Sequence, residues 1–261
     1  MPRLLPSPRR LPSPRARLLA PALLAGLAAC GGESTPSAPA PVPFPVGKGF
    51  TASLVEQSRL ILSSKDGRVL LDGLPPAAVA EGDPPLTGFA VRDLTTQFEM
   101  QFGSFRPIDT AKGPWRPAQK LVAGAGSGAL DLQDAAGAVL AHLHFTEPES
   151  GHLAVEITPG DGPERRFSWG FACAKTDHFA GFGAQSLDVD HRGQTVPTWV
   201  QEQGVGKSDD DNYSGVWFLT GTRHASQIPI PQYLSSRGYI LTAENDLRSI
   251  FALCSESESA A

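Results

Sequence analysis

Ala129-Leu-Asp-Leu-Gln-Asp-Ala-Ala-Gly-Ala-Val-Leu-Ala-His-Leu-His-Phe145 is the stretch that decides the fold class. Leu130 and Leu132 alternate with polar residues, Asp134-Ala-Ala-Gly137 supplies turn chemistry, and Val139, Ala141, Leu143 and Phe145 take up the alternation again. Successive side chains of a strand point to opposite faces, so a period of two on either side of a turn spells two antiparallel strands sharing one apolar face. His142 and His144 fall on the other face. Two imidazoles side by side are a conceivable metal pair, but a solvent-facing strand face is the simpler account, and no metal is assigned to them.

The same alternation extends outward from this hairpin. Ser58 to Ser63 and Arg68 to Asp72 flank Lys65-Asp66-Gly67, a turn signal, and read as a second hairpin. Phe98, Met100 and Phe102 point one way while Glu99 and Gln101 point the other; Leu153, Val155 and Ile157, then Phe167, Trp169 and Phe171, repeat the pattern. No segment carries an apolar stripe at i, i+3, i+4, i+7 long enough for a helix. The abundance of glycine and proline, 27 and 24 residues, agrees with frequent turns, although part of the proline lies in the N-terminal 47 residues; the expectation is an all-β, antiparallel sandwich or barrel.

The N-terminus reads differently. Arg3, Arg9, Arg10, Arg15 and Arg17 precede an apolar run from Leu18 to Ala29. A run of ~12 residues broken by Pro21 falls short of the ~20 that span a bilayer and fits a secretory signal. It ends in Leu27-Ala28-Ala29-Cys30, which looks like a bacterial lipobox with Cys30 as the lipidated residue. Residues 1–29 are therefore expected to be a lipoprotein signal peptide. Residues 30–47, rich in proline and small residues, are expected to form a disordered tether holding the domain off a cell-envelope membrane. One domain, residues 48–254, and a polar tail, residues 255–261, complete the chain. The formal charge of −5 becomes about −10 once the five signal arginines are gone, which disfavours phosphate backbones and so nucleic acid as a partner. Beyond Cys30 only Cys173 and Cys254 remain; in an oxidising compartment they pair, or else they stay buried and free, and sequence leaves both open.

From His178 the composition shifts to glycine, aromatic and polar residues, which is not how a strand core reads. Gln185, Arg192, Trp199, Glu202 and Gln203 offer what sugar binding uses: amide, guanidinium and carboxylate groups for hydroxyls, and an indole face for the apolar side of a pyranose. Gly181-Phe-Gly-Ala-Gln185, Arg192-Gly193, Pro197-Thr-Trp199 and Glu202-Gln-Gly-Val-Gly206 together resemble the N-terminal domain of glycoside hydrolase family 31, especially its sulfoquinovosidases and related bacterial α-glucosidases. Phe98-Glu-Met-Gln-Phe-Gly-Ser-Phe-Arg106 and Pro229-Ile-Pro-Gln-Tyr-Leu-Ser-Ser-Arg-Gly-Tyr239 look familial too, and the matches fall in order over most of residues 50 to 253.

The resemblance implies a galactose-mutarotase-like supersandwich whose loops lean over the mouth of a (β/α)₈ barrel. It also implies retaining hydrolysis of α-glycosides by two barrel aspartates, one nucleophile and one acid/base. Neither role falls on a residue of this chain, which ends before a barrel could begin and leaves room for the sandwich to lack its last strands. The expected function is thus a non-catalytic, pocket-completing carbohydrate-binding domain needing no cofactor, with a separate catalytic barrel as a partner. A stand-alone carbohydrate-binding lipoprotein and a non-functional truncated product are the alternatives. Ala184 and Lys207 depart from the family's frequent glutamate and arginine, altering an ion pair or a substrate contact. Asp209-Asp-Asp-Asn212 lacks the glycine and distal glutamate of a calcium loop. Asp188, Asp190 and Glu202 show no spacing that would make a hydrolytic pair.

Overall fold

The computed structural model describes residues 41–44, 46–77, 79, 86–101, 104–160, 165–201 and 223–254. The signal segment, Cys30, Phe102, Glu202, Gln203, Lys207, residues 209–212 and the polar tail lie outside them. Among the described residues every regular element is a strand, and the named strands pair antiparallel. The expected all-β class is the observed one.

Two four-stranded sheets share the first core. One runs in the order β1 (Val42–Phe44), β2 (Phe50–Val55), β3 (Arg59–Ser64), β4 (Val69–Asp72). The end of the expected tether therefore belongs to the fold: β1 pairs with β2, Val46 is buried in the first core and Phe44 packs against it, so the domain begins before residue 48. β3 and β4 are the hairpin expected around Lys65-Asp66-Gly67, closed by Ser64 N–H donating to Arg68 O at 2.9 Å. The other sheet runs β11 (His152–Pro159), β10 (Val139–Glu149), β9 (Ala129–Gln133), β8 (Lys120–Ala123). Leu130 sits opposite Leu143, and Leu132 opposite Ala141, so the alternating apolar residues meet across the ladder. Between β9 and β10, Asp134 Oδ1 accepts the backbone N–H of Ala136 and of Ala138, both at 2.9 Å, which is why an aspartate starts this turn.

Leu60 and Leu62 from the first sheet and Leu130, Leu132, Leu140 and Leu143 from the second are all 3% exposed or less. Burial of each such leucine contributes about 1.5–3 kcal/mol, and this layer is what holds the first half together. His142 and His144 point to solvent as the alternation requires, and His142 Nδ1 lies 2.7 Å from Asp131 Oδ1 on the facing strand.

β5 (Phe89–Gln101) links the halves. Its first residues pair with β12 (Arg165–Trp169) and β7 (Arg116–Pro117), burying Phe89 and Val91 in the first core. Its remainder forms a hairpin with β6 (Ser104–Ala111). The alternation of Phe98 and Met100 is present there, but that face is open: Phe98 is 49% and Met100 70% exposed. Near the hairpin's base, Asp109 accepts from Thr96 Oγ1 at 2.8 Å, Arg166 Nη2 at 2.5 Å and Arg248 Nη2 at 3.1 Å. Burial works against ionisation of Asp109, but the threonine hydroxyl and the two guanidinium groups prevail and hold its carboxyl below the ordinary value. This carboxylate joins β6 and β12 to the approach to β17 (Ser249–Leu253).

The second core lies between a sheet of β13 (Phe179–Gly183), β15 (Pro229–Ser235) and β16 (Tyr239–Thr242) and the pair β14 (Gln194–Thr198) and β17. Phe179, Phe182, Val196, Tyr233 and Leu253 fill it. Cys173 and Cys254, 81 positions apart in sequence, are joined in a disulfide at its edge, with Cα atoms 5.8 Å apart. This decides the choice between paired and free thiols.

Candidate functional site

The polar, glycine-rich stretch from His178 does more than make a loop. It holds two strands, β13 and β14, and the centre of the second core, contrary to the expectation that it would not carry a strand core. The physical reason is close packing of backbones. A Cβ on Gly181 would stand 2.5 Å from Gln232 O, and one on Gly183 would stand 2.1 Å from Ile228 O. Glycine lets β13 press against β15, with Gly181 at φ 145° and Gly183 at φ 79°.

Between the two strands, residues 184–193 form the candidate loop. Asp190 organises it: Oδ1 accepts the N–H of Phe179 and of Arg192, each at 3.1 Å, and Oδ2 lies 2.6 Å from His178 Nδ1. Burial opposes ionisation, yet the His178 ring and these two N–H groups prevail and hold the carboxyl down to about 2. Asp188, with a left-handed φ of 55°, pairs with Arg223. Inside the loop His191 is buried, its ring edge-on to Phe182 at 5.2 Å and to His224 at 5.9 Å. Burial pushes the His191 imidazole below its ordinary value, against Asp188, the Gly181 carbonyl and Asp190, so it stays neutral near pH 7; its Nδ1 has no partner among the described residues.

The sequence-selected residues bond to different parts of this frame. Gln185 donates from Nε2 to Phe182 O at 3.2 Å, which folds its side chain against its own turn. Arg192 turns to the far side of the loop, where Nη1 donates to Ala174 O at 2.7 Å and Asp177 O at 3.1 Å beside the disulfide. Trp199, delivered by the end of β14, reaches the β5–β6 hairpin: Nε1 donates to Phe105 O at 2.8 Å, and the indole stacks on Phe98 with ring centres 5.9 Å apart. Trp199 is half-buried, so only part of its indole remains available. Glu202 and Gln203 lie outside the described residues. A cavity of about 180 Å³ lies elsewhere, between β1, β2 and β8, lined by Val42, Leu54, Gln57, Leu121, Val122 and Ala123 and by none of the candidate residues.

Sequence reasoning missed His191, His224 and the role of Arg192 at the disulfide. A buried histidine has no local signature, and the partners of Arg192 are backbone carbonyls and sulfurs up to 62 positions away.

No protein-family model matches the chain. In sequence it is 34% identical over 108 residues to a sulfoquinovosidase of Agrobacterium fabrum, an alignment covering 38% of this chain and 15% of that protein. It is 26% identical over 117 residues to a sulfoquinovosidase of Escherichia coli K12, covering 41% of this chain and 16% of that protein. In structure it is similar to a GH31 family sulfoquinovosidase from E. rectale, solved in complex with an aza-sugar inhibitor. The TM-score is 0.52 at 18% identity, over 77% of this chain and 28% of that one. The matches thus span about one sixth of the length of the curated relatives. Over those segments the chain is similar in sequence to two sulfoquinovosidases, and over most of its length it shares the fold of a sulfoquinovosidase of the GH31 family.

Proposed function

We propose that the chain is the non-catalytic N-terminal domain of a family 31 α-glycosidase. In this reading it is a galactose-mutarotase-like sandwich that presents the loop of residues 184–193 and Trp199 to a carbohydrate pocket built mainly by a catalytic barrel. The observation that carries it is the sequence relationship to two bacterial sulfoquinovosidases, joined to a fold shared with a third. The loop's electrostatics support the non-catalytic assignment. A glycosidase acid needs a raised pKa and a partner carboxylate across the scissile bond. Asp190 is held the other way, at about 2, and Asp188 is engaged by Arg223.

The test is calorimetric titration of the full chain with sulfoquinovosides, glucosides and xylosides, with product release assayed in parallel. Binding without release is the expected result, with Gln185→Ala weakening it at an unchanged melting temperature, because that side chain makes one bond to its own turn. Trp199→Ala is a poorer probe: it also strips the hairpin of a stacked ring and a hydrogen bond, so fold and binding fall together. Release of free sugar by the chain alone overturns the non-catalytic assignment. A folded chain that binds none of the three glycosides overturns binding by the chain alone and means that the loop needs its barrel.

We further infer that the protein is exported and anchored in the cell envelope through lipidated Cys30. A disulfide suits the oxidising compartment such a protein enters. Cys30→Ser is expected to move the protein from the membrane to the soluble fraction and to abolish palmitate labelling. Labelling that persists in the variant means the lipobox has been misread.

A further inference from the structure

Arg192 holds a guanidinium nitrogen against both sulfurs of the disulfide: Nη1 lies 3.2 Å from Cys173 Sγ and 3.3 Å from Cys254 Sγ. The same nitrogen is fixed by Ala174 O and Asp177 O, so its position is set by the backbone and does not depend on the sulfurs. A disulfide sulfur is a weak acceptor and gains little from a cation. A thiolate is an anion, and a neighbouring arginine stabilises it strongly. Arg192 therefore favours the reduced state over the oxidised one. Because it touches both sulfurs about equally, whichever is displaced leaves onto the charge.

Three further features agree. Both cysteines are partly exposed, within reach of a reagent. The Asp177 carboxylate accepts from Arg237 through both oxygens, so Arg192 is not its main partner. Cys254 has φ 59°, a left-handed conformation that a residue with a Cβ adopts at a cost.

We propose that Cys173–Cys254 is a thiol–disulfide exchange site for a dithiol reductant, with Arg192 as the positioning residue that holds the leaving thiolate. One thiolate of the dithiol attacks either protein sulfur, forming a mixed disulfide and breaking the Cys173–Cys254 bond, and the other protein sulfur leaves as a thiolate beside Arg192. The second thiol of the reagent, deprotonated, attacks the reagent's own sulfur in the mixed disulfide; the bond to the protein breaks, the protein sulfur leaves as a second thiolate, and the reagent departs as its own disulfide. The protein gains the two electrons and two protons that the dithiol loses. Opening the bond removes the covalent link between the end of β17 and the segment that leads into β13, while β17 stays paired with β14.

The experiment equilibrates the full chain at pH 7 with dithiothreitol at graded ratios of its reduced and oxidised forms. Thiols are trapped by iodoacetamide, and Cys173 and Cys254 are located by peptide mass. Arg192→Gln is expected to lower the equilibrium constant for reduction by roughly tenfold or more and to slow alkylation of the reduced chain by a similar factor. Arg192→Lys, which keeps the charge, restores a large part of both. Equal constants and rates in the native and Arg192→Gln chains overturn the proposal. If Arg192→Gln does not fold, the native chain decides alone: its reduced cysteines must alkylate faster when folded than in urea, and equal or slower alkylation overturns it.

Discussion

Replacing Asp177 by alanine is expected to lower the unfolding free energy by about 3–5 kcal/mol, because it breaks a buried ion pair and leaves its partner charged. The Asp177 side chain is 6% exposed. Its Oδ1 accepts Arg237 Nε at 2.9 Å, and its Oδ2 accepts Arg237 Nη2 at 2.6 Å and the Ala174 N–H at 2.7 Å. Among the described residues, alanine leaves the guanidinium hydrogen-bonded to Ala172 O alone, at 3.1 Å, and the Ala174 N–H without its acceptor. Arg237→Ala alone is expected to be damaging too, and the double variant less so than the sum of the singles, since neither charge is then stranded. Burial opposes ionisation of Asp177, yet Arg237 and the Ala174 N–H prevail and hold the folded carboxyl below its ordinary value. Its contribution is thus fully present above the unfolded carboxylate value of about 3.9 and fades as pH falls through the lower folded value. Urea melts at pH 7 and at acid pH check both points: the gap between native and Asp177→Ala narrows on acidification. A gap under about 1 kcal/mol at pH 7 means that the pair does not hold the second half together.

The first half of the fold was open to reading because its information is local. Alternation in β9 and β10, an aspartate placed to accept two N–H groups in the turn, and the Lys65-Asp66-Gly67 hairpin each specify a structure from fewer than a dozen neighbouring residues. The β5–β6 hairpin was half legible: the alternation of Phe98 and Met100 is real, but periodicity says which residues share a face, not whether anything covers it. The second half was not legible from chemistry alone. The glycines of β13 serve a backbone contact with β15, some 50 residues on, and the core residue Phe182 sits between two of them where no alternation remains to be counted. The sugar-like residues were chosen for their functional groups, and those groups also satisfy structural needs. Arg192 and Trp199 bond to carbonyls of distant segments, and distance in sequence hides such partners. The familial motifs pointed to the sulfoquinovosidases where chemistry alone was silent, and the sequence and fold similarities agree with them.

Phe182 is where that hidden logic has its largest measurable effect. Its side chain is fully buried, with ring centres 5.2 Å from His191, 5.8 Å from Tyr233 and 5.1 Å from Phe251, so it joins β13, β15, β17 and the loop. Phe182→Ala is expected to cost about 3–5 kcal/mol through lost transfer energy and the cavity left behind. The backbone adds a second term. Phe182 has φ 66°, a left-handed conformation that is unfavourable by about 1–2 kcal/mol for any residue with a Cβ, alanine included, and free of that penalty for glycine. In an ordinary strand glycine is the worse replacement by roughly 0.5–1 kcal/mol. Here the order reverses, and Phe182→Gly is expected to be the more stable of the two variants although it buries less. Urea denaturation of both at pH 7 reads the difference directly. Phe182→Gly denaturing at the lower urea concentration, with equal slopes, contradicts the backbone account and leaves ring packing as the whole contribution of this residue; the expected order shows that the core holds its central aromatic ring in place against the preference of its own backbone.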